Sequence, residues 1–350
     1  MKVTKIPGLG RFGVFIDDLD FANISNEEWH EIGKLHLESL VTIIRNVNVK
    51  PVVYESFIRK WGTERTLHDA ALLEKYKIGN LGELVGKKEI NGRLIDEADL
   101  EWIHTVTPLI ALEESQNNTQ MLRVSGKKDE FGNPLGMFAE GELLWHSNES
   151  GNLCFSPGVA LLGKDDMVGS ATGFLTTSDW YEEQSESFRS ELDEMIVEHK
   201  FVPGRINPGL RGEQDDLMYR NMCPTPIELP LVILSPGGIK GLHYSVNTIN
   251  GIKGMTQSES DQLFSKINKT LFSDRFIYDH WYQQDNDICL FDNSITLHRR
   301  LGGITNRLCY RIQYDYNRLV PTTTPRYLQE PFVTMYKEQS AKINKLLGIH

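Results

Sequence analysis

Two of the ten histidines stand where chemistry could be done. His146 ends the apolar run of GELLWHSNESG, just before turn-forming residues, and His298 ends the β-rich run of ICLFDNSITLHRR. Side chains at strand ends can project into one cavity, and a pair of imidazoles there is a ready ligand set for a borderline divalent metal. Two buried histidines are more often structural, so the pair alone is a weak signal. His30, His36, His68, His104, His199 and His350 lie in polar or helical settings and need no special role, while His243 and His280 sit near predicted strand edges. The run RLCYRIQYDY after His298 adds a third element. Side chains alternate along an extended chain, so Arg307, Cys309, Arg311 and Gln313 share one face. Two guanidinium groups on one face repel unless anions meet them. Ordinary salt bridges to Asp or Glu would meet them. So would a bound carboxylate, which arginine grips with two parallel hydrogen bonds. The residues leave that choice open.

The elements that must position these groups come from a chain of 350 residues, long enough to bury a substantial core. A charged fraction of 24% beside 40% hydrophobic residues excludes wholesale disorder. With 37 Lys+Arg against 48 Asp+Glu, the net charge of −11 argues against a general binder of nucleic acid or anionic membrane. Cys154, Cys223, Cys289 and Cys309 form no CxxC pair, which disfavours a disulfide scaffold or thiolate zinc site and fits a reducing cytoplasm. No long apolar run follows the basic residues of MKVTKIPGLGRFG, so no signal peptide is read there. The longest apolar runs, VALL at 159–162 and LPLVIL at 229–234, fall far short of the roughly 20 residues a membrane helix needs. A cytoplasmic protein with no membrane or nucleic-acid partner is the expectation.

Segment 24–47 opens with a helix cap, Ser25 followed by Glu28, and carries apolar residues at helical spacing through Leu35, Leu40 and Ile44. Val49 to Tyr54 reads as a short β-rich run broken by Pro51, and 95–116 reads as helical. From residue 120 onward, short apolar runs alternate with Gly, Pro, Asn and Asp, the pattern of a β-sandwich or barrel. Helical stretches interrupt it at 178–200 and 256–272. The expected architecture is a single domain over 1–350, mainly β with α, with a β core at roughly 120–320 under an N-terminal helical layer.

In order along the chain, these segments resemble the taurine dioxygenase (TauD/TfdA-like) family of Fe(II)/2-oxoglutarate-dependent oxygenases. FGVFIDDLDFANISNEEWHEIGKLHLESLVTIIRNV resembles that family's opening strand, helix and strand. EGELLWHSNESGNLCFSPGVALLG is similar to its first metal-ligand segment, and GSATGFLTTSDWY to its threonine strand and following helix. DICLFDNSITLHRR, with Asp292-Asn293, resembles the distal-histidine strand, and NRLCYR the closing strand with two arginines four apart. The resemblance implies a double-stranded β-helix, the jelly-roll or cupin-like core. It implies Fe(II), 2-oxoglutarate and O2, with decarboxylation to succinate coupled to oxidation of an unactivated C–H bond of a small molecule. His146 and His298 would be the imidazole ligands of iron. Arg307 would hold the distal carboxylate of 2-oxoglutarate, helped by Thr172, and Arg311 would meet an anionic group on the substrate. A register shift in the loop HRRLGGITN would exchange the two arginines. Trp145 and Asp292 would support the site, or serve only packing and turn polarity.

One position departs from the family. Its first segment normally reads His-x-Asp or His-x-Glu, which supplies the carboxylate of the facial triad. Here it reads His146-Ser147-Asn148, followed by Glu149. An asparagine offers only a neutral amide oxygen, so metal affinity should fall. Four readings stay open: Asn148 as a working third ligand; Glu149 swinging in from one residue out of register; a ligand-poor site as in halogenating relatives; or a substitution at a natural Asp. The non-enzymatic alternative is a small-carboxylate-binding protein with a weakened metal site. Segments 74–95 and 202–222 are candidate pocket loops, and Arg311 points to a small anionic or zwitterionic substrate such as an amino acid or organic acid. The helix-like tail 326–350 is the candidate element for a homo-oligomer.

Overall fold

The computed structural model describes residues 1–62, 75–78, 81–84, 86–97, 99–100, 121–128, 130–132, 136, 138, 142–148, 150, 156–200, 226–301, 306–314, 316 and 318–319. Glu149, segment 202–222, most of 95–116 and the tail 326–350 lie outside them, as do Cys154 and Cys223.

Period-two alternation along short strands builds two facing sheets. Their strands are β1 (Lys2–Lys5), β2 (Val14–Asp17), β3 (Val41–Ile44), β4 (Leu122–Ser125), β5 (Leu143–His146), β6 (Gly158–Asp165), β7 (Ala171–Thr176), β8 (Ile277–Trp281), β9 (Ile288–Asp292), β10 (Thr296–Arg300) and β11 (Leu308–Tyr314). The larger sheet runs β1-β2-β3-β9-β6-β11-β4 and the smaller β8-β7-β10-β5. Within these two sheets only β2 and β3 pair in parallel. Val41, Ile43, Val159, Leu161, Cys289, Phe291 and Cys309 turn inward with Phe174 of the smaller sheet. Their neighbours Ile44, Ala160, Leu162, Ile288, Leu290, Tyr310, Ile312 and Tyr314 turn outward to an N-terminal helical layer. Each inward Val, Leu or Phe contributes about 1.5–3 kcal/mol on leaving water. This is the expected jelly-roll core.

Helix α1 (Asn26–Ser39) begins at the predicted cap. Ser25 Oγ accepts from the Glu28 amide at 3.1 Å, and the Glu28 carboxylate accepts from the Ser25 amide at 2.9 Å. The helix stops earlier than its apolar spacing suggests. Leu40 turns the chain with φ +60°, and Val41–Ile44 becomes strand β3, buried throughout. A Val-Thr-Ile-Ile run is stiff at χ1 and fits a pleated surface better than a helix. The β reading of Val49 to Tyr54 is corrected in the opposite direction. Pro51 opens helix α2 (Pro51–Arg59), where its fixed φ and missing N–H are harmless, and Tyr54 and Ile58 share the buried face. Trp29 and Trp61 stack at 4.5 Å between these helices. Trp61 Nε1 donates to the Trp29 carbonyl at 3.2 Å.

The outer face of the smaller sheet is covered by α3 (Ser178–Glu182), α4 (Glu186–Asp193) and α5 (Gln257–Leu271), which pack Trp180, Leu192, Phe264, Ile267 and Leu271 on Leu175 and Leu297. The expected single helix over 178–200 is two short helices and a strand, Ile196–His199, because Ser185 starts a new cap with its Oγ on the Phe188 amide. Helix α5 matches its expected span, with Thr256 and Glu259 forming the capping box. No helix among the described residues is long and apolar enough to cross a membrane.

His36 ties α1 to the sheet. It is fully buried, with Nδ1 3.2 Å from Thr42 Oγ1 and Nε2 2.8 Å from Tyr316 Oη. Burial lowers its pKa from 6.5 to about 3. The unfolded chain takes up this proton below 6.5 and the folded chain does not until about 3. Stability present above 6.5 is therefore lost as the pH falls through that window, by up to about 1.4 kcal/mol per pH unit from this residue. Urea unfolding between about pH 7 and pH 5 should show a shallower acid loss in His36→Gln. Equal slopes would assign the acid sensitivity elsewhere.

Candidate active site

His146 closes β5 and His298 sits at the centre of β10. The intervening turn, Asn293–Ile295, belongs to the β9–β10 hairpin, so His298 is not at a strand end as its sequence context suggests. The two histidines are direct cross-strand partners, and their rings lie 4.1 Å apart at 45°. His146 Nδ1 lies 2.6 Å from the Leu144 carbonyl oxygen. A carbonyl can only accept, so Nδ1 carries the proton and Nε2 carries the lone pair, the arrangement that orients a metal-binding imidazole. His298 is buried, and its pKa is held well below the usual imidazole range by burial first, then by the charges of His146 and Arg311. It is therefore a neutral imidazole, the form that ligates. Its Nδ1 is buried without a hydrogen-bond partner.

Asn148 lies in the turn after β5 and is buried. Its backbone is gripped by one side chain. Asn293 Oδ1 accepts from the Asn148 amide at 2.8 Å, and Asn293 Nδ2 donates to the Asn148 carbonyl at 3.1 Å and to Ser156 O at 2.9 Å. The Asn148 Nδ2 has no partner of its own. Among the described residues no three His, Cys, Asp or Glu converge as a metal cluster. The paired imidazoles suit a borderline divalent ion, and an amide at position 148 would leave the set one negative charge short of a facial triad.

Next to the histidines lies a basic floor. Thr172 on β7 pairs across the strands with Arg300 on β10. Arg300 is buried, donates to the Phe138 carbonyl, and has its pKa lowered to about 10 by burial and then by the charge of Arg307. Arg307, just before β11, is buried too. Arg311 is half-buried, and its charge acts on His298. The charge couplings therefore separate two places, Arg300 with Arg307 and Arg311 with His298. Thr172 Oγ1 lies 3.2 Å from Tyr282 Oη, which also contacts Cys289 Sγ at 3.4 Å across the sheets. Phe291 packs against the site, its ring 4.6 Å from that of His298 and 5.3 Å from that of Phe174.

The sequence reading singled out neither Arg300 nor the grip of Asn293. Alternation could have found Arg300, which stands two residues from His298 and so shares its face. Nothing local reveals the Asn293 grip, because its partners lie 137 and 145 residues away. Trp145 packs, stacked on Phe272 at 6.1 Å with Arg299 over its ring at 4.5 Å. The Asp292 carboxylate accepts from the Ser294 and Ile295 amides, each at 2.9 Å, and so shapes the hairpin turn.

Two facing, mainly antiparallel sheets with paired histidines on the smaller one define a double-stranded β-helix with a candidate metal centre. The chain belongs to the taurine catabolism dioxygenase TauD, TfdA family, whose model matches residues 3–313. It is thereby a member of the Fe(II)/2-oxoglutarate-dependent dioxygenases, enzymes that act on small molecules. Among curated proteins none matches the chain in sequence. The fold is similar to that of AAD-2, solved with Mn(II) and N-oxalylglycine, at 16% identity and TM-score 0.60, covering 90% of this chain and 97% of that one. It is also similar to a taurine dioxygenase from Burkholderia xenovorans, at 17% identity and TM-score 0.58, covering 89% and 90%. At these identities the likeness shows the fold.

Proposed function

We propose that this chain oxidises an unactivated C–H bond of a small anionic or zwitterionic molecule, with Fe(II) held by His146, His298 and Asn148. The observation that carries this reading is the in-register pair His146–His298 beside the floor of Thr172, Arg300 and Arg307. When bound, the iron and 2-oxoglutarate supply the oxidising chemistry, with release of succinate and carbon dioxide. The protein supplies placement. The Leu144 carbonyl fixes the His146 ring, and burial keeps His298 neutral. Arg307 and Arg300 together neutralise the distal carboxylate of 2-oxoglutarate, and an anion between two buried guanidiniums relieves their repulsion. Tyr282 occupies Thr172 Oγ1 from one side, so the hydroxyl can serve the carboxylate from the other. Arg311, whose charge acts on His298, would meet an anionic group of the substrate, and that coupling supports the role. Phe174, Phe291, Val159 and Leu161 pack an apolar, water-excluding core beside the histidines.

The test is an anaerobic titration with Fe(II) and 2-oxoglutarate that follows the visible charge-transfer band of the chelate. The band is expected in this chain and absent in His298→Ala. The missing carboxylate favours one second reading, a carboxylate-binding protein that holds metal weakly. That reading predicts no band here but a band in Asn148→Asp. No band in either overturns the iron assignment to these residues.

A further inference from the structure

Gln313 is a buried carboxamide with nothing to do. It is 1% exposed, and neither Oε1 nor Nε2 has a hydrogen-bond partner. It stands on β11 two residues beyond Arg311. Cys309 on the same face lies in the inner core, while Tyr310, Ile312 and Tyr314 belong to the outer one. The strand registers give its level in the cavity. Phe291, Val159 and Gln313 form one row across the larger sheet. Phe174, His298 and His146 form one row across the smaller. Phe291 touches both Phe174 and His298, so the two rows face each other. Gln313 therefore faces the smaller sheet at the level of the histidine pair. In the next row of the smaller sheet Thr176 and Thr296 are partners, and both hydroxyls are buried and unpaired as well.

Leaving a buried donor or acceptor unmet costs about 1–3 kcal/mol for each group. A fold that keeps both ends of one amide unmet, at the level where a substrate must approach the metal, is a fold prepared for a ligand that meets both. The neighbours of Gln313 in its own row, Val159 and Phe291, are apolar, and Arg311 already stands on the same face to meet a charge, so the group that meets Gln313 itself need carry none. The matching group is uncharged and offers a donor and an acceptor side by side. Arg311 stands two residues away on the same face, about 7 Å along the strand. We infer that Gln313 is a specificity residue that recognises a primary carboxamide, or the equivalent end of a urea, on a substrate whose anionic group is met by Arg311. The inference rests on the function proposed above and narrows its substrate class to acids that carry an amide a few atoms from the carboxylate.

The experiment uses the full chain loaded anaerobically with Fe(II) and 2-oxoglutarate. The probes are L-glutamine and L-asparagine, the charged isosteres L-glutamate and L-aspartate, and the apolar L-leucine. Binding is read by calorimetry and by the shift each probe causes in the charge-transfer band. Glutamine or asparagine should bind about 10-fold or more tightly than its acid and than leucine. In Gln313→Met, which keeps the volume and removes both polar atoms, that preference should fall to within about 2-fold while the 2-oxoglutarate band persists. Gln313→Glu, which loses the donor, should weaken amide binding as well. Equal binding of amide, acid and leucine by the native chain overturns the inference. So does an amide preference that survives in Gln313→Met, or no binding of any probe beside an intact band, which would leave Gln313 facing water only. Absence of the band in the native chain is a separate result, and it removes the proposed function together with this inference.

Discussion

Replacing Asn148 by aspartate is expected to tighten Fe(II) binding by about 100-fold or more. Changes to groups that merely orient ligands shift metal affinity by about 10- to 100-fold, and a new anionic ligand in direct contact should do at least as much. The change costs the turn little. Asn293 grips Asn148 through its backbone amide and carbonyl, which aspartate keeps, and the side-chain Nδ2 that disappears has no partner to lose. The metal-free protein should respond in the opposite direction. A carboxylate buried at 7% exposure beside no described cation partner is costly when unmatched, by several kcal/mol for an ion taken out of water. Melting measured with and without Fe(II) should thus show the variant below the native chain when apo and above it when loaded. Metal titration by calorimetry gives the affinity directly. An unchanged affinity would mean that position 148 does not face the metal, and would turn attention to other ligands.

The second large effect separates the arginines. Arg307→Ala should raise the dissociation constant for 2-oxoglutarate by about 100-fold or more, because truncating one partner of a buried charge-paired contact costs about 2–5 kcal/mol. The unliganded protein should tolerate this change. Burial first and the charge of Arg307 second lower the pKa of Arg300, so removing Arg307 relieves part of that strain. Arg311→Ala should behave differently. Its charge bears on His298 rather than on Arg300, so primary-substrate binding should fall more than 2-oxoglutarate binding. Calorimetric titration of 2-oxoglutarate into both Mn(II)-loaded variants reads the split. Equal loss in the two would overturn the division of roles.

The sequence alone carried the class of fold and the order of the site segments. Turn residues between short β-rich runs announce a β core, and a capping box announces a helix start, because both signals are local and their physics acts within a few residues. His146, His298, Arg307 and Arg311 stood out as candidates by residue type and local context, whereas Thr172 entered only through the resemblance to the family. Helix ends were not. Leu40 to Ile44 continues a helical apolar spacing, yet it forms a strand because its neighbour β9 offers a ladder in exact register. Pro51 looked like a strand breaker, and tertiary packing made it a helix start. The tertiary structure also decided which charged groups meet. Arg300 and Arg307 come together from a strand and from the loop end before the next, and Asn293 reaches back 145 residues to fix the turn of Asn148. Burial is the last thing a sequence withholds. It makes His298 a neutral imidazole, His36 an acid-sensitive anchor and Gln313 an unanswered amide, and burial belongs to the packed sheets rather than to any residue.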